Sequence, residues 1–326
     1  MMNSCKNELT VTKNKQEIIA REHAKLDKLI KDYMKQALSP STIKFYTIDL
    51  RIFSEWCVSM ELQTLPATPD TVARFLAQQT SLGIKPATLT RRLAAIRMAH
   101  EANGHENPTQ HKGVKAVFKG IKRENGVAQD KKAPATAERI AAMITHCPDT
   151  LIGLRDKALL LIGFAGAFRR SELVALTVND IERTPEGIKI TIRKSKTDQE
   201  GQGELIAIPN GTKFRVVDVL MNWLQTANIT EGALFRSIKK GGAIQNTGLT
   251  PKSVANIVKQ YAGLAGLTIG DFSGHSLRAG FITSGAESGA DLFKLMEVSR
   301  HKHPKTIMGY VRESKLFENH AGQSFL

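Results

Sequence analysis

Four short stretches of this chain carry residues that could act together on an anion. In "GAFRRSELVAL", Arg169 precedes Glu172 by three residues, close to one helical turn, so the two side chains share a face. In "RKSKT", Lys194 and Lys196 stand beside a turn-rich segment. In "SGHSLRAG", His275 and Arg278 lie at i and i+3, from which an imidazole and a guanidinium can converge on one anion. In "RHKHPKTIMGY", His301 stands nine residues ahead of Tyr310, one of four tyrosines in the chain. Guanidinium forks grip phosphate oxygens, histidine moves protons near neutrality, and a tyrosine oxygen is a nucleophile once its proton has been taken. Each stretch also has an ordinary reading: a surface ion pair, solvating lysines at a hairpin tip, a chance helical pairing, a tyrosine packing a core edge.

Composition narrows the partner. The 326 residues include 46 Lys and Arg against 31 Asp and Glu, a formal net charge of +15, which favours a polyanion such as nucleic acid or an acidic membrane surface. Aromatic residues make up only 6%, too few for a single-strand binder built on stacked bases, so a duplex backbone is the better fit. The longest apolar run, "ALLLIGFAGAF" (Ala158 to Phe168), falls short of the roughly 18 to 20 residues that span a bilayer and reads as a buried helix. No apolar signal core precedes residue 20, so a cytoplasmic protein without membrane contact is expected. Cys5, Cys57 and Cys147 are odd in number and widely spaced, and define neither a disulfide framework nor a zinc site. No metal or other cofactor is expected.

These residues need elements to hold them. A chain of this length exceeds what single cores usually reach, so two domains are expected. After a flexible tail (1–20), residues 21–125 read as short helices. Leu26, Ile30, Tyr33, Met34 and Ala37 recur at helical spacing, and Ile43, Tyr46, Leu50, Phe53 and Cys57 form a second stripe after "SPST". Thr68 with Pro69 reads as an N-cap and first helical position, and Leu89, Leu93 and Ile96 face inward on the next helix. Between Ser81 and Asn125 nine basic residues, among them Lys85, Arg91, Arg92, Arg97, Lys122 and Arg123, face three Glu. A one-signed run in a basic chain points to phosphate. Residues 126–134 lack periodicity and read as a linker.

From 135 to 326 helical patterns recur at Ala135 to His146 and Leu151 to Ala167, interrupted by "GIKITIRKSK" and "GELIAIPN", whose alternation predicts a hairpin. Helices resume with "TKFRVVDVLMNWLQTAN" and "TPKSVANIVKQYAGLAG". The expected fold is mainly α with a small antiparallel β hairpin or sheet: a helical DNA-binding domain, then an α+β domain ending in a tail (311–326).

Taken together and in order, the four stretches resemble the tyrosine recombinase family, the phage integrases with the Cre-type and Xer-type enzymes. That family's pattern is an arginine in a G-x-R-x-S-E-L-like segment, a hairpin lysine, H-x-x-R, then a histidine or tryptophan nine residues before a C-terminal tyrosine. The resemblance covers Leu151 to Tyr310 closely, and the N-terminal region looks like the family's core-binding domain. Two positions depart from the commonest pattern: Phe168 stands where leucine is frequent, and "VSRH" replaces Leu-Gly-His.

The resemblance implies a site-specific recombinase that cuts and rejoins duplex DNA through a 3′-phosphotyrosyl intermediate. It makes Arg169 and Arg278 the phosphate clamp, Tyr310 the nucleophile and Lys196 the general acid, with Lys194 the alternative. His275 becomes an acid/base partner, His301 a hydrogen-bond donor to the phosphate, and Glu172 a support for the site. It also implies paired inverted-repeat sites, a homo-tetramer on DNA that is monomeric in solution, and a C-terminal segment docked on a neighbouring subunit. Contacts to the duplex are expected from "ATLTRRLAAIR", with Arg91 and Arg92 foremost, and from "TPKSVANIVK". Type IB topoisomerases share the residue set, and a DNA-binding regulator with a silent site is the alternative from another class.

Overall fold

Ser39 and Thr68 open the first two described helices, Thr68 as the sequence promised. Each side-chain oxygen accepts a backbone N–H three residues on, Thr42 and Thr71 respectively, and proline occupies the first helical position. The computed structural model describes residues 37–127, 132–193 and 203–314, and the chain divides into two compact units, Met1–Gln129 and Asp130–Leu326. In the first unit the described helices are α1 (Pro40–Ser59), α2 (Pro69–Ser81), α3 (Pro86–Ala102) and α4 (Lys112–Asn125). Their core joins Phe53, Trp56 and Cys57 to Val72, Phe75, Leu76, Leu89, Ile96, Val114, Phe118 and Ile121. The helical stripe expected from Leu26 lies almost wholly outside the described residues.

The second unit begins with backbone laid along its own helices: Ala133 N–H donates to Asp271 O at 2.7 Å and Ala135 N–H to Ser276 O at 2.8 Å. Then follow α5 (Ala137–Thr145), α6 (Leu151–Ala165) and the short α7 (Arg170–Ala175). Leu159, Leu160, Leu161 and Ile162 are all fully buried, so the apolar second half of α6 is surrounded on every side. Strands β1 (Ile181–Arg183), β2 (Gly187–Ile192) and β3 (Glu204–Pro209) form an antiparallel meander. Ile188, Ile190 and Ile192 point into the core with Ile206 and Ile208, and Ile192 pairs with Glu204 at the loop end of the hairpin. Lys194 and Lys196 belong to 194–202, outside the described residues.

Next come α8 (Val216–Thr226), a second two-stranded sheet, β4 (Arg236–Ile238) with β5 (Ile244–Gly248), and α9 (Pro251–Leu264). The unit closes with α10 (Ser276–Glu287), α11 (Leu292–Ser299) and α12 (Pro304–Ser314). A Cβ on Gly163 would fall 2.7 Å from Leu277 Cδ1, so glycine lets α10 approach α6 closely enough for Arg278 to reach the end of α6. The C-terminal segment expected to dock, from 315 on, lies outside the described residues. No helix among the described residues is long and apolar enough to cross a membrane.

Candidate active site

The site is built where α6 and α11 end. In both helices the last turn closes by the same pair of bonds. At α6, Ala167 N–H donates to Phe164 O and Phe168 N–H to Gly163 O; at α11, Arg300 N–H donates to Glu297 O and His301 N–H to Met296 O. This closure needs a left-handed residue, usually glycine, one step past the cap. Here the positions are filled by Ala167 (φ +45°) and Arg300 (φ +54°). The left-handed turns throw Arg169 and His301 toward the same point.

Glu172 is the carboxylate at that point and is almost completely buried. Its Oε2 accepts from the Arg169 backbone N–H (3.0 Å) and from Arg300 Nη2 (2.9 Å), and its Oε1 accepts from Arg169 Nη1 (2.6 Å). Burial alone would raise its pKa, but the Arg300 charge and the Arg169 hydrogen bonds outweigh burial and hold it below the usual carboxylate range. The pair Arg169–Glu172, whose ordinary reading was a surface ion pair, is thus a part-buried, charge-assisted contact.

Arg278 is buried at the first turn of α10, and its Nη1 donates to Ala167 O at 2.8 Å. Burial, then the charges of Arg169 and Arg300, push its pKa down to about 9, which still leaves it charged at neutral pH. Its Nη2 lies 3.3 Å from His301 Nδ1 and 3.4 Å from Nε2. Burial, followed by the charges of Arg278, Arg169 and Arg300, lowers the His301 pKa to about 4, so the ring is neutral at pH 7.

The hydrogen-bond network also assigns the tautomer of His301. The Ser299 hydroxyl has one proton and donates it to Leu295 O at 2.5 Å, so toward His301 Nδ1, 2.8 Å away, it can only accept. Nδ1 therefore carries the hydrogen and Nε2 keeps its lone pair.

Tyr310 lies on α12, half-buried, and packs against the apolar group of Ile282, Ala286, Leu295 and Ile307. It is near enough to Arg278 for a phenolate charge there to stabilise the guanidinium. His275 stands exposed at the start of α10, where its backbone N–H donates to Ser273 Oγ at 3.2 Å. The structure thus gathers Arg169, Glu172, Arg278, His301 and Tyr310. It adds a residue the sequence reading passed over, Arg300, whose only signal was its place directly before His301.

The basic residues of the first unit separate into two groups. Lys85, Arg97, Lys122 and Arg123 are exposed, with Arg97 3.9 Å from Glu101 and Lys122 over the Phe118 ring. Arg91 is part-exposed, with Nε and Nη2 bound to Asp49 at 2.6 and 3.0 Å. Arg92 corrects the expectation of a duplex contact. It is 7% exposed, hydrogen-bonded through Nη1 to Gln79 Oε1, and its Nε lies 3.7 Å from Asp49, inside the bundle.

A helical unit followed by an α+β unit that gathers arginines, a carboxylate, a histidine and a tyrosine is the architecture of a tyrosine recombinase, and the chain belongs to the phage integrase family. The model of that family matches residues 133–316, and that of the phage integrase N-terminal SAM-like domain matches residues 26–106. An integrase/recombinase XerD homolog of Selenomonas ruminantium is 40% identical over 294 residues, spanning 88% of this chain and 86% of that protein. The recombinase Cre of Escherichia phage P1 is 24% identical over 298 residues, spanning 85% of each. The fold is also that of the XerH site-specific recombinase solved in a post-cleavage complex with palindromic difH substrate. That likeness has a TM-score of 0.65 at 18% identity, over 86% of this chain and 79% of that one.

Proposed function

We propose that this protein is a site-specific recombinase that cleaves and rejoins duplex DNA through a 3′-phosphotyrosyl intermediate and exchanges strands between two sites. The observation that carries the reading is the crowding of three guanidinium groups, Arg169, Arg278 and Arg300, around Glu172, in a pocket whose burial and like charge depress the pKa values of Arg278 and His301. A phosphodiester would relieve that repulsion, and more so as charge develops on its oxygens during attack.

In this reading Arg169 and Arg278 donate to the non-bridging oxygens while Glu172 holds Arg169 in place. Tyr310 Oη attacks phosphorus, and the bond from phosphorus to the 5′ oxygen breaks. An unassisted phenol with a pKa of about 10 is only about 0.1% ionised at pH 7, so its proton needs an acceptor, and His275 takes that role. Lys196, or Lys194, protonates the leaving oxygen. The bond energy is kept in a phosphotyrosyl ester, and the 5′-hydroxyl of a second strand reverses the step in a new partner.

His301 enters through its charge state. Phosphate acts on it in the opposite sense to the arginines and lifts its pKa, so the ring gains a proton at Nε2 and becomes a donor to the phosphate. The exposed Lys85, Arg97, Lys122 and Arg123 and the part-exposed Arg91 supply duplex contacts. Paired inverted repeats, a tetramer formed on them from monomers, and a cytoplasmic location with the chromosome complete the proposal.

The test is covalent capture. Wild type and Tyr310→Phe are incubated with sheared, nicked genomic DNA, quenched in detergent, and the protein-linked ends sequenced. A 3′-linked adduct at one recurrent sequence with wild type alone is the expected result. Equal binding by both proteins without any adduct would falsify the reading.

A further inference from the structure

We propose that Arg300 is a positioning residue of this site, whose guanidinium fixes the end of α6, Glu172 and the segment leading to His301 in one arrangement. The inference rests on the recombinase reading for its consequence and on geometry for its substance.

The donor inventory separates Arg300 from the phosphate clamp. A guanidinium has five N–H groups. The Nη1 group of Arg300 donates to Gly166 O at 3.0 Å and to Val298 O at 2.7 Å, and Nη2 donates to Ala167 O at 3.1 Å and Glu172 Oε2 at 2.9 Å. All four terminal donors are spent inside the protein, and the side chain is 3% exposed. The fifth, Nε, points at Glu204 Oε2 across 3.8 Å, and neither of these buried atoms has a hydrogen-bond partner. Its one unspent donor, Nε, is buried beside Glu204 and is not presented to DNA. What it holds are the elements that carry the groups proposed to touch DNA: the turn before Arg169, the carboxylate that grips Arg169, the carbonyl that also receives Arg278, and the base of β3.

Its backbone argues the same way. A left-handed arginine costs roughly 1 to 2 kcal/mol relative to glycine, and four hydrogen bonds plus a stacking contact over Phe168 (5.2 Å to the ring centre) hold it there. A lysine offers three donors at a single point and cannot span three carbonyls and a carboxylate. The groups facing His301 are Arg278 from α10, Arg169 and Glu172 from the end of α6 and from α7, and Ser299 and Arg300 from its own segment. Arg300 therefore also adds to the charge that His301 experiences, after Arg278 and Arg169.

Arg300→Gly and Arg300→Lys test this, the first supplying the residue the backbone prefers and the second keeping the charge. Two measurements are made on the full chain. One is the protonation midpoint of the His301 ring by NMR without DNA, assigned with His301→Gln. The other compares the rate of covalent adduct formation on a pool of nicked duplexes with affinity for the same pool at fixed salt. In Arg300→Gly the midpoint should rise above its starting value of about 4. In both variants the adduct rate should fall by about 100-fold, the cost of a misplacement near 1 Å, with affinity nearly unchanged. Wild-type rates in Arg300→Lys, or equal losses of rate and affinity in Arg300→Gly, would overturn the assignment. If wild type forms no adduct, the recombinase reading fails, and the midpoint in Arg300→Lys, which keeps the charge, decides: a shift from the wild-type value supports Arg300 as the positioning group and no movement rejects it.

Discussion

Arg300 Nη2 donates to the carbonyl oxygen of Ala167 at 3.1 Å, so the two left-handed, non-glycine residues that close α6 and α11 are bonded to each other. Phe168, the neighbour of one, stacks under the guanidinium of the other. The two places where the sequence departs from the commonest family pattern, Phe168 and "VSRH", therefore meet in space and support one another. Ala167→Val, which sets a β-branched residue at positive φ in a fully buried position, should destabilise the protein by at least about 2 kcal/mol in urea unfolding. No change in midpoint would show that this turn stores no strain.

Arg169 and Arg278 each have donors beyond those spent on Glu172 and Ala167. Alanine at either position should lower adduct formation on the order of 100- to 1000-fold, the cost of removing one preorganised donor to a developing charge. Arg278→Ala should be the more severe, because it also removes the partner of His301. Single-turnover cleavage of a nicked substrate is the measurement, and a loss below tenfold at both positions would exclude a phosphate clamp.

Ser299 makes a sharper test of His301. With Ser299→Ala the acceptor for Nδ1–H is gone and the ring is free to place its hydrogen on Nε2. The ¹⁵N shifts of the His301 ring should report a changed tautomer ratio, and cleavage should slow by roughly 10- to 100-fold. Unchanged shifts would mean that Ser299 does not govern the ring.

The acid side of the stability profile follows from His301. Its ordinary pKa is about 6.5, and its folded value is lowered to about 4. Between those limits the unfolded chain binds a proton that the folded chain refuses, so stability rises with pH across that window and is lost as pH falls through it. Glu172, held below the usual carboxylate range, extends the loss to lower pH. Urea midpoints measured in steps across the window should slope less in His301→Gln than in wild type; parallel slopes would remove His301 as the source.

The chain announces some of this arrangement plainly and hides the rest for physical reasons. The unbroken apolar face of α6, the alternating isoleucines of β2 and the Thr68–Pro69 helix start are local signals, and each element formed where its pattern lay. The sheet of β4 and β5 was not legible, because "RSI" and "IQNTG" carry no alternation and their pairing is decided by what surrounds them. The spacing of Arg169 to Glu172 and of His301 to Tyr310 exposed most of the site. Arg300 stayed hidden because a basic residue in a basic segment reads as solvated, and only the meeting of two helix ends provides the carbonyls that justify burying it.

Arg91 and Arg92 pose the same problem in the first unit, and their difference is testable. Adjacent residues on a helix point about 100° apart, so of two arginines alike in sequence one reaches the surface of α3 and the other turns inward to Gln79 and Asp49. Arg92→Ala leaves buried Asp49 with Arg91 as its single cationic partner among the described residues, and removing one side of such a network typically costs about 3 to 5 kcal/mol. The expected phenotype is a lower unfolding midpoint with unchanged duplex affinity per folded molecule. Lys122→Ala, at an exposed position on α4, should do the reverse: native stability, weaker binding, and a salt dependence of affinity shallower by roughly one unit of slope. Affinity lost in Arg92→Ala at native stability would return that arginine to the DNA surface, and an unchanged salt slope in Lys122→Ala would remove that lysine from it.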